Sequence, residues 1–251
     1  MKEIKLWDAN VRVGRSLAGA RAAVTGVDEI LKALDHYGIE KALVWHIAQF
    51  EYSASEGNRL VRQLVKNQKR LVGCWAVLPP TTGETGEYFF DRMKENNIAA
   101  LRFFPEQHRY LLRRRVFGEF LDQVVARRIP VLLSVKWGVT WPVIYDLLEE
   151  YPEMTCLLCD LGIWGLNRYT WPLVSSFPRV YLESSLLSLS DGGLEATVKQ
   201  FGAGRVIFGT GFPERYADAA ILDLLHAPLT DEEKNLIAGE NLKRLLAGVK
   251  L

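Results

Sequence analysis

Val131-Leu-Leu133, entered from Ile129-Pro130 and left through Ser134-Val-Lys136, is too short for a helix and apolar throughout. A strand with one solvated face alternates apolar and polar residues. An unbroken apolar run instead fits a parallel strand covered by helices on both faces. Thr155-Cys-Leu-Leu158 repeats the pattern, and Thr140–Tyr151 between them has helical periodicity. The same alternation continues outward in both directions. Strands are expected at Ile4–Ala9, Lys41–Ile47, Leu71–Leu78, Ala99–Phe104, Val131–Val135, Met154–Asp160, Arg179–Glu183 and Val206–Thr210, each followed by a helical segment. Asn167–Phe177 is expected as a helix with Pro172 near its start, where a missing N–H is tolerated. Helices at Ala217–His226 and Asp231–Leu246 close the chain. Eight such units in 251 residues match one barrel. The expected fold is therefore α/β: a single (βα)8 TIM barrel with a C-terminal helix, one domain over residues 1–251. A doubly wound open sheet lacks support, because no Gly-rich phosphate turn follows the first strand.

The composition narrows the function. Hydrophobic residues make up 49%, and 31 Lys+Arg against 30 Asp+Glu leave a net charge of +1, which favours neither nucleic acid nor an anionic membrane as partner. No apolar run approaches the ~18 residues that span a bilayer. Met1-Lys-Glu-Ile-Lys5 passes directly into a mixed strand, so no leader and a cytoplasmic location are expected. Arg113-Arg-Arg115 reads as a solvated helix start. Three cysteines, Cys74, Cys156 and Cys159, point to reduced thiols. Cys156 and Cys159 have CxxC spacing, but residues i and i+3 of a strand face opposite ways, so they cannot share a metal or close a bridge.

Function in such a barrel sits at the C-terminal strand ends. Leu6-Trp-Asp-Ala-Asn-Val-Arg-Val-Gly14 reads as the end of the first strand running into a loop. Alternation sends Asp8, Asn10 and Arg12 to one side and Trp7, Ala9 and Val11 to the other. A solvated edge strand would alternate similarly, but more charges gather at the same end. His46 ends strand two, Arg102 lies in strand four, Ser134 and Lys136 end strand five, and Asp160 ends strand six. Glu183 and Ser185 end strand seven, and Thr210-Gly-Phe-Pro-Glu214 follows strand eight. Charges pointing into a barrel are costly without partners, so their clustering marks a pocket. Only one of Trp45 and His46 can face inward. His36 and His226 are expected at the surface, and His108, in a loop after Pro105, is expected to be solvated, with lining the pocket as its alternative. Trp137, Trp141 and Trp164 either cap the mouth or stack on a planar substrate. Glu214 either closes the eighth loop or meets a site cation.

In order along the chain, these segments resemble the amidohydrolase superfamily, in the branch of metal-dependent hydrolases and non-oxidative decarboxylases. Asp8-Ala-Asn-Val-Arg12 resembles its first-strand Asp-Ala-His-x-His. Ile129-Pro-Val-Leu-Leu-Ser134 resembles the fifth-strand segment that ends in His, and Leu157-Leu-Cys-Asp-Leu-Gly162 the sixth, where His precedes Leu-Gly. Ile207-Phe-Gly-Thr-Gly-Phe-Pro213 resembles the eighth-strand Phe-Gly-Ser-Asp-x-Pro, and Ile237-Ala-Gly-Glu-Asn-Leu-Lys-Arg-Leu245 the closing helix. Carried over by position, the family's metal ligands become Asn10, Arg12, Ser134 and Asp160, and its Asp base becomes Gly211. None is retained in kind.

The resemblance with these departures implies no metal and no cofactor. Its first implied function is a metal-independent hydrolase or lyase for a small anionic carboxylate, lactone or ester. Asp160, His46 and Lys136 would be catalytic. Asp8, Asn10, Arg12, Arg15, Arg102, Ser134, Glu183 and Thr210 would bind substrate, and an Arg12–Asp160 ion pair would fill the old metal position. The alternatives are a catalytically inactive protein binding a small anion or a protein partner, and a metal enzyme with rearranged ligands such as His46 and Asp160. Related barrels often pair, so a homo-oligomer is expected as possible, while nucleic acid and membrane are not expected as partners.

Overall fold

The apolar runs form eight short strands: β1 Leu6–Val13, β2 Ile39–His46, β3 Leu71–Ala76, β4 Ile98–Arg102, β5 Val131–Ser134, β6 Cys156–Cys159, β7 Val180–Glu183 and β8 Val206–Ile207. The structure, a computed structural model, describes residues 4–17, 23–83, 85–161, 167–189 and 192–251. The strands lie side by side in chain order, and every neighbouring pair is parallel. The ring closes where the Ala9 N–H donates to Phe208 O at 3.0 Å and the Arg12 N–H to Phe212 O at 2.8 Å. Helices separate the strands, so the (βα)8 barrel expected from the sequence is the one that forms.

Side-chain alternation sorts the apolar residues into two clusters. Leu43 and Trp45 of β2, Val72 and Cys74 of β3, Ala100 of β4, Leu132 of β5, Leu157 and Cys159 of β6 and Ile207 of β8 fill the barrel interior. Their neighbours Val44, Leu101, Val131, Leu133, Cys156, Leu158 and Val206 pack outward with the helices. Cys156 and Cys159 therefore face opposite sides, both free and buried. The closing segment plugs the N-terminal end. Leu242 joins the interior cluster, and Asn241 Nδ2 donates to Ala203 O and Val206 O, both at 2.8 Å.

Three local expectations change. β1 continues to Val13, so Asn10 and Arg12 belong to the strand and not to a loop. The strand is also bulged between Asp8 and Val11. One extra residue there breaks the period of two. Trp7 and Ala9 lie with the interior cluster while Val11 packs outward, which corrects the grouping of those three on one face. Pro172 sits well inside the helix Asn167–Ser176 rather than at its start. β8 is only two residues long, because the Phe208 N–H turns away to Ile237 O of the closing segment at 3.0 Å.

The segment after β2 is locked from within. Buried Gln49 accepts the His46 N–H at 3.1 Å and donates to Asn58 Oδ1 at 2.8 Å and Cys74 O at 2.9 Å. The helix Ala54–Val65, capped by Ser53, crosses it at Gly57, where a Cβ would stand 2.3 Å from Gln49 N. Alanine in an exposed helix gains about 1 kcal/mol over glycine. At Gly57 the clash is with backbone and cannot rotate away, so Gly57→Ala is expected to cost about 2 kcal/mol net. A urea midpoint equal to or above wild type would show that the two segments separate freely.

Candidate functional site

Asn10 is the centre of the C-terminal mouth. The β1 bulge turns it inward, and it is almost fully buried. Its Nδ2 donates to Asp160 Oδ1 and to Glu183 Oε2, each at 3.2 Å, and its Oδ1 accepts from Arg102 Nη2 at 2.8 Å. Ser134 Oγ donates to Asp160 Oδ2 at 2.6 Å. Asp160 takes a left-handed φ of 52°, a conformation that Asp tolerates better than most residues. Its backbone N–H then faces Glu183 Oε2 at 3.3 Å. Ser185 closes the set, its N–H 2.6 Å from Glu183 Oε1 and its Oγ 2.9 Å from Oε2.

Burial and the Asp160 charge push the Glu183 carboxyl up to about 7, against the lowering effect of the Ser185 hydrogen bonds. Asp8 is also raised by burial, although Thr210 and the Asn10 N–H oppose the shift. Thr210 Oγ1 donates to Asp8 Oδ2 at 2.5 Å and the Thr210 N–H to Oδ1 at 3.1 Å, which ties β1 to the segment after β8. Below this layer, Arg102 lies fully buried over the Trp45 ring at 4.5 Å, and its Nε and Nη1 have no hydrogen-bond partner.

At the rim, Glu214 Oε1 meets Arg12 Nη2 at 2.7 Å and Oε2 meets Lys136 Nζ at 2.7 Å. Burial alone would raise Glu214, but Lys136 and Arg12 bring it below the usual carboxylate range. Trp137 caps the mouth, edge-on to Trp45 at 5.3 Å and to Phe50 at 5.1 Å. Trp141 instead stacks on Tyr169 at 4.9 Å. Trp164 lies outside the described residues.

Asp8, Asn10, Arg102, Ser134, Asp160, Glu183 and Thr210 are thus brought together, with Arg12 and Lys136 above them. Two expected residues are not. Trp45 takes the inward position of β2. His46 packs behind Gly14, its Nδ1 accepting the Ala48 N–H at 3.1 Å, and burial followed by Arg12 lowers its pKa. Arg15 is exposed, because the chain leaves the barrel after Gly14. The Arg12–Asp160 pair does not form either. Arg12 goes to Glu214, and the cation on Asp160 is Arg215, whose Nη1 is 3.3 Å from Oδ1 and 3.1 Å from Ser185 Oγ. Arg215 lies one residue beyond the polar run Thr210–Glu214 that the sequence marks after β8.

The set places a carboxyl raised by burial, Glu183, beside Asp160 and near guanidinium groups that can hold an anion. It does not fit a divalent metal. Asp160 is the one anionic residue among positions 10, 12, 134, 160 and 211, and a guanidinium already holds it. A Cβ on Gly211 would stand 2.3 Å from Arg215 Nη1, so the space for an Asp at 211 is taken by a cation. Among the described residues, no three His, Cys, Asp or Glu converge as a metal site.

Eight parallel strands with polar residues gathered at their C-terminal ends define a (βα)8 TIM barrel with its candidate site at the C-terminal mouth. The amidohydrolase family's profile matches residues 14–247, and the chain belongs to that family. No curated relative matches the chain. Among solved structures, 5-carboxyvanillate decarboxylase of Novosphingobium aromaticivorans, complexed with manganese and a nitrobenzoic acid, superposes with a TM-score of 0.77 at 11% identity, over 97% of this chain and 96% of its own. A probable 2-pyrone-4,6-dicarboxylic acid hydrolase of Acinetobacter baumannii, with citric acid bound, gives 0.73 at 15% identity, over 97% and 100%. The 2,6-dihydroxybenzoate decarboxylase of Rhizobium gives 0.73 at 14%, over 98% and 99%. At these identities the likeness is one of fold.

Proposed function

We propose that the chain is a metal-independent hydrolase or lyase acting on a small anionic carboxylate, lactone or ester, without a cofactor. The observation that carries this is the Asp160–Glu183 pair, which keeps a carboxyl titrating near neutral pH at the barrel mouth, beside the Arg215 guanidinium. Asp160, 7% exposed against 1% for Glu183, lies nearer the mouth and acts as the acid–base, with Glu183 as its proton partner. Lys136 at the rim and Arg102 beneath receive the negative charge of the substrate or of an oxyanion. Asn10, Ser134, Asp8 and Thr210 hold these groups in place, and Arg12 holds Glu214 at the entrance. Citric acid and a nitrobenzoic acid bound in two structures of the same fold support the substrate class. The near-zero net charge supports a small molecule rather than nucleic acid or a membrane as partner. No helix among the described residues is long and apolar enough to cross a membrane; a cytoplasmic location is part of the same proposal.

The test is elemental analysis of protein purified without chelator, followed by a screen of lactones and aromatic carboxylates. We expect far less than one metal ion per chain, and a fall in turnover on the order of 10²–10³ for Asp160→Asn. Stoichiometric zinc, manganese or iron overturns metal independence. Equal turnover in Asp160→Asn removes Asp160 from the chemistry. One observation favours a second reading, an inactive anion binder: every oxygen of Asp160 and Glu183 already has a partner within the protein. Calorimetric binding of a carboxylate that no assay shows being consumed would establish that reading instead.

A further inference from the structure

We propose that the Arg215 guanidinium is the resident cation of this barrel, built in as a side chain where a metal ion would otherwise be held, and that its outer N–H groups receive the carboxylate of the substrate. The second half rests on the functional reading above; the first does not.

Four observations carry it. The first is space. A Cβ on Gly211 would be 2.3 Å from Arg215 Nη1 and 3.4 Å from Cζ, so the guanidinium occupies the volume that any side chain at 211 would enter. Gly211 also has φ +65°, which disfavours a replacement even if Arg215 moved. The second is ligation. Nη1 is held by two oxygens, Asp160 Oδ1 at 3.3 Å and Ser185 Oγ at 3.1 Å, and that same Oδ1 receives Asn10 while Oδ2 receives Ser134. Asp160 therefore binds the guanidinium nitrogen directly, Asn10 and Ser134 fix that carboxylate, and Gly211 leaves the space the guanidinium fills.

The third observation is charge. Asp160 and Glu183 are two buried carboxylates bridged by Asn10 Nδ2, and among the described residues Arg215 is the cation on Asp160, since Arg12 and Lys136 are both engaged by Glu214. The fourth is access. The Arg215 side chain is 24% exposed while that of Arg12 is 2%. Among the described residues its Nε and Nη2 have no hydrogen-bond partner. A partly exposed guanidinium anchored by Nη1, with Nε and Nη2 unbonded, keeps the fork that binds a carboxylate through two parallel bonds. Lysine would keep the charge and lose the fork.

The test has two arms. Arg215→Ala is expected to melt on the order of 5–10 °C below wild type. Millimolar methylguanidinium should restore it saturably, and equal concentrations of methylammonium or sodium chloride should not. A variant that melts within 1 °C of wild type, or one restored equally by all three, overturns the resident-cation assignment. Because Arg215→Ala could fail to fold, Arg215→Lys supplies the second arm, with benzoate as the probe. Its affinity is expected to fall about tenfold with the melting temperature held, and an unchanged affinity overturns the carboxylate fork. A screen without turnover, alongside selective methylguanidinium rescue, would sink the functional reading and leave the resident cation standing. Turnover without rescue would do the reverse.

Discussion

Asn10→Leu is expected to destabilise the chain by about 4 kcal/mol. Leucine has nearly the same volume, so the loss comes from polarity. It removes the acceptor of Arg102 Nη2 and one donor from each of Asp160 and Glu183. Arg102 suffers most, since its Nε and Nη1 already have no hydrogen-bond partner and the Trp45 face would be its main remaining support. Asn10→Asp separates charge from shape. The bond to Arg102 survives, but a third carboxylate arrives within 3.2 Å of two others, so this variant should lose more stability between pH 5 and pH 8 than the wild type does. Urea denaturation at both pH values measures each effect. A loss under about 1 kcal/mol for Asn10→Leu would show that water replaces the amide, and that Asn10 is not the hub of the site.

The barrel was legible because its signal is local and repeated. Segments such as Val131-Leu-Leu133 can only be strands covered on both faces, and eight of them in sequence leave little choice of topology. The site was legible in its membership, since buried charges at strand tips stand out against apolar strands. What could not be read was direction. One inserted residue between Asp8 and Val11 reverses which side chains face inward, and no propensity marks a bulge. The choice between Trp45 and His46 hung on the same parity. Ion pairing was equally hidden. Arg12 and Arg215 both lie near Asp160 in the topology, and what sends Arg215 there is a glycine whose missing Cβ leaves room for it. The identity of residue 211 said that a carboxylate was absent; only the structure says that a cation fills the space.

The wild-type chain should lose about 3 kcal/mol of stability between pH 5 and pH 8 that Glu183→Gln does not lose. Glu183 titrates near 7 in the folded chain against an ordinary 4.5, first because it is buried and next because Asp160 is beside it. A carboxyl raised in the folded state holds its proton there while the unfolded chain has released it. Stability from this group is therefore fully present below about pH 4.5 and falls as pH rises through about 7. Asp8, also raised, acts in the same direction, whereas His46 and His108, lowered by burial, act oppositely. All three remain in Glu183→Gln, so the difference between the two pH dependences isolates Glu183. Glutamine cannot accept every bond that Glu183 accepts, from Ser185, from Asn10 and from the Asp160 N–H, and its absolute stability will be lower at acid pH. That cost does not vary with pH, so the slope is the quantity to compare. Parallel slopes from urea midpoints at pH 5, 6, 7 and 8 would mean that Glu183 ionises as an ordinary carboxyl. They would also remove the proton that the proposed acid–base chemistry shares with Asp160, because both claims depend on the same titration.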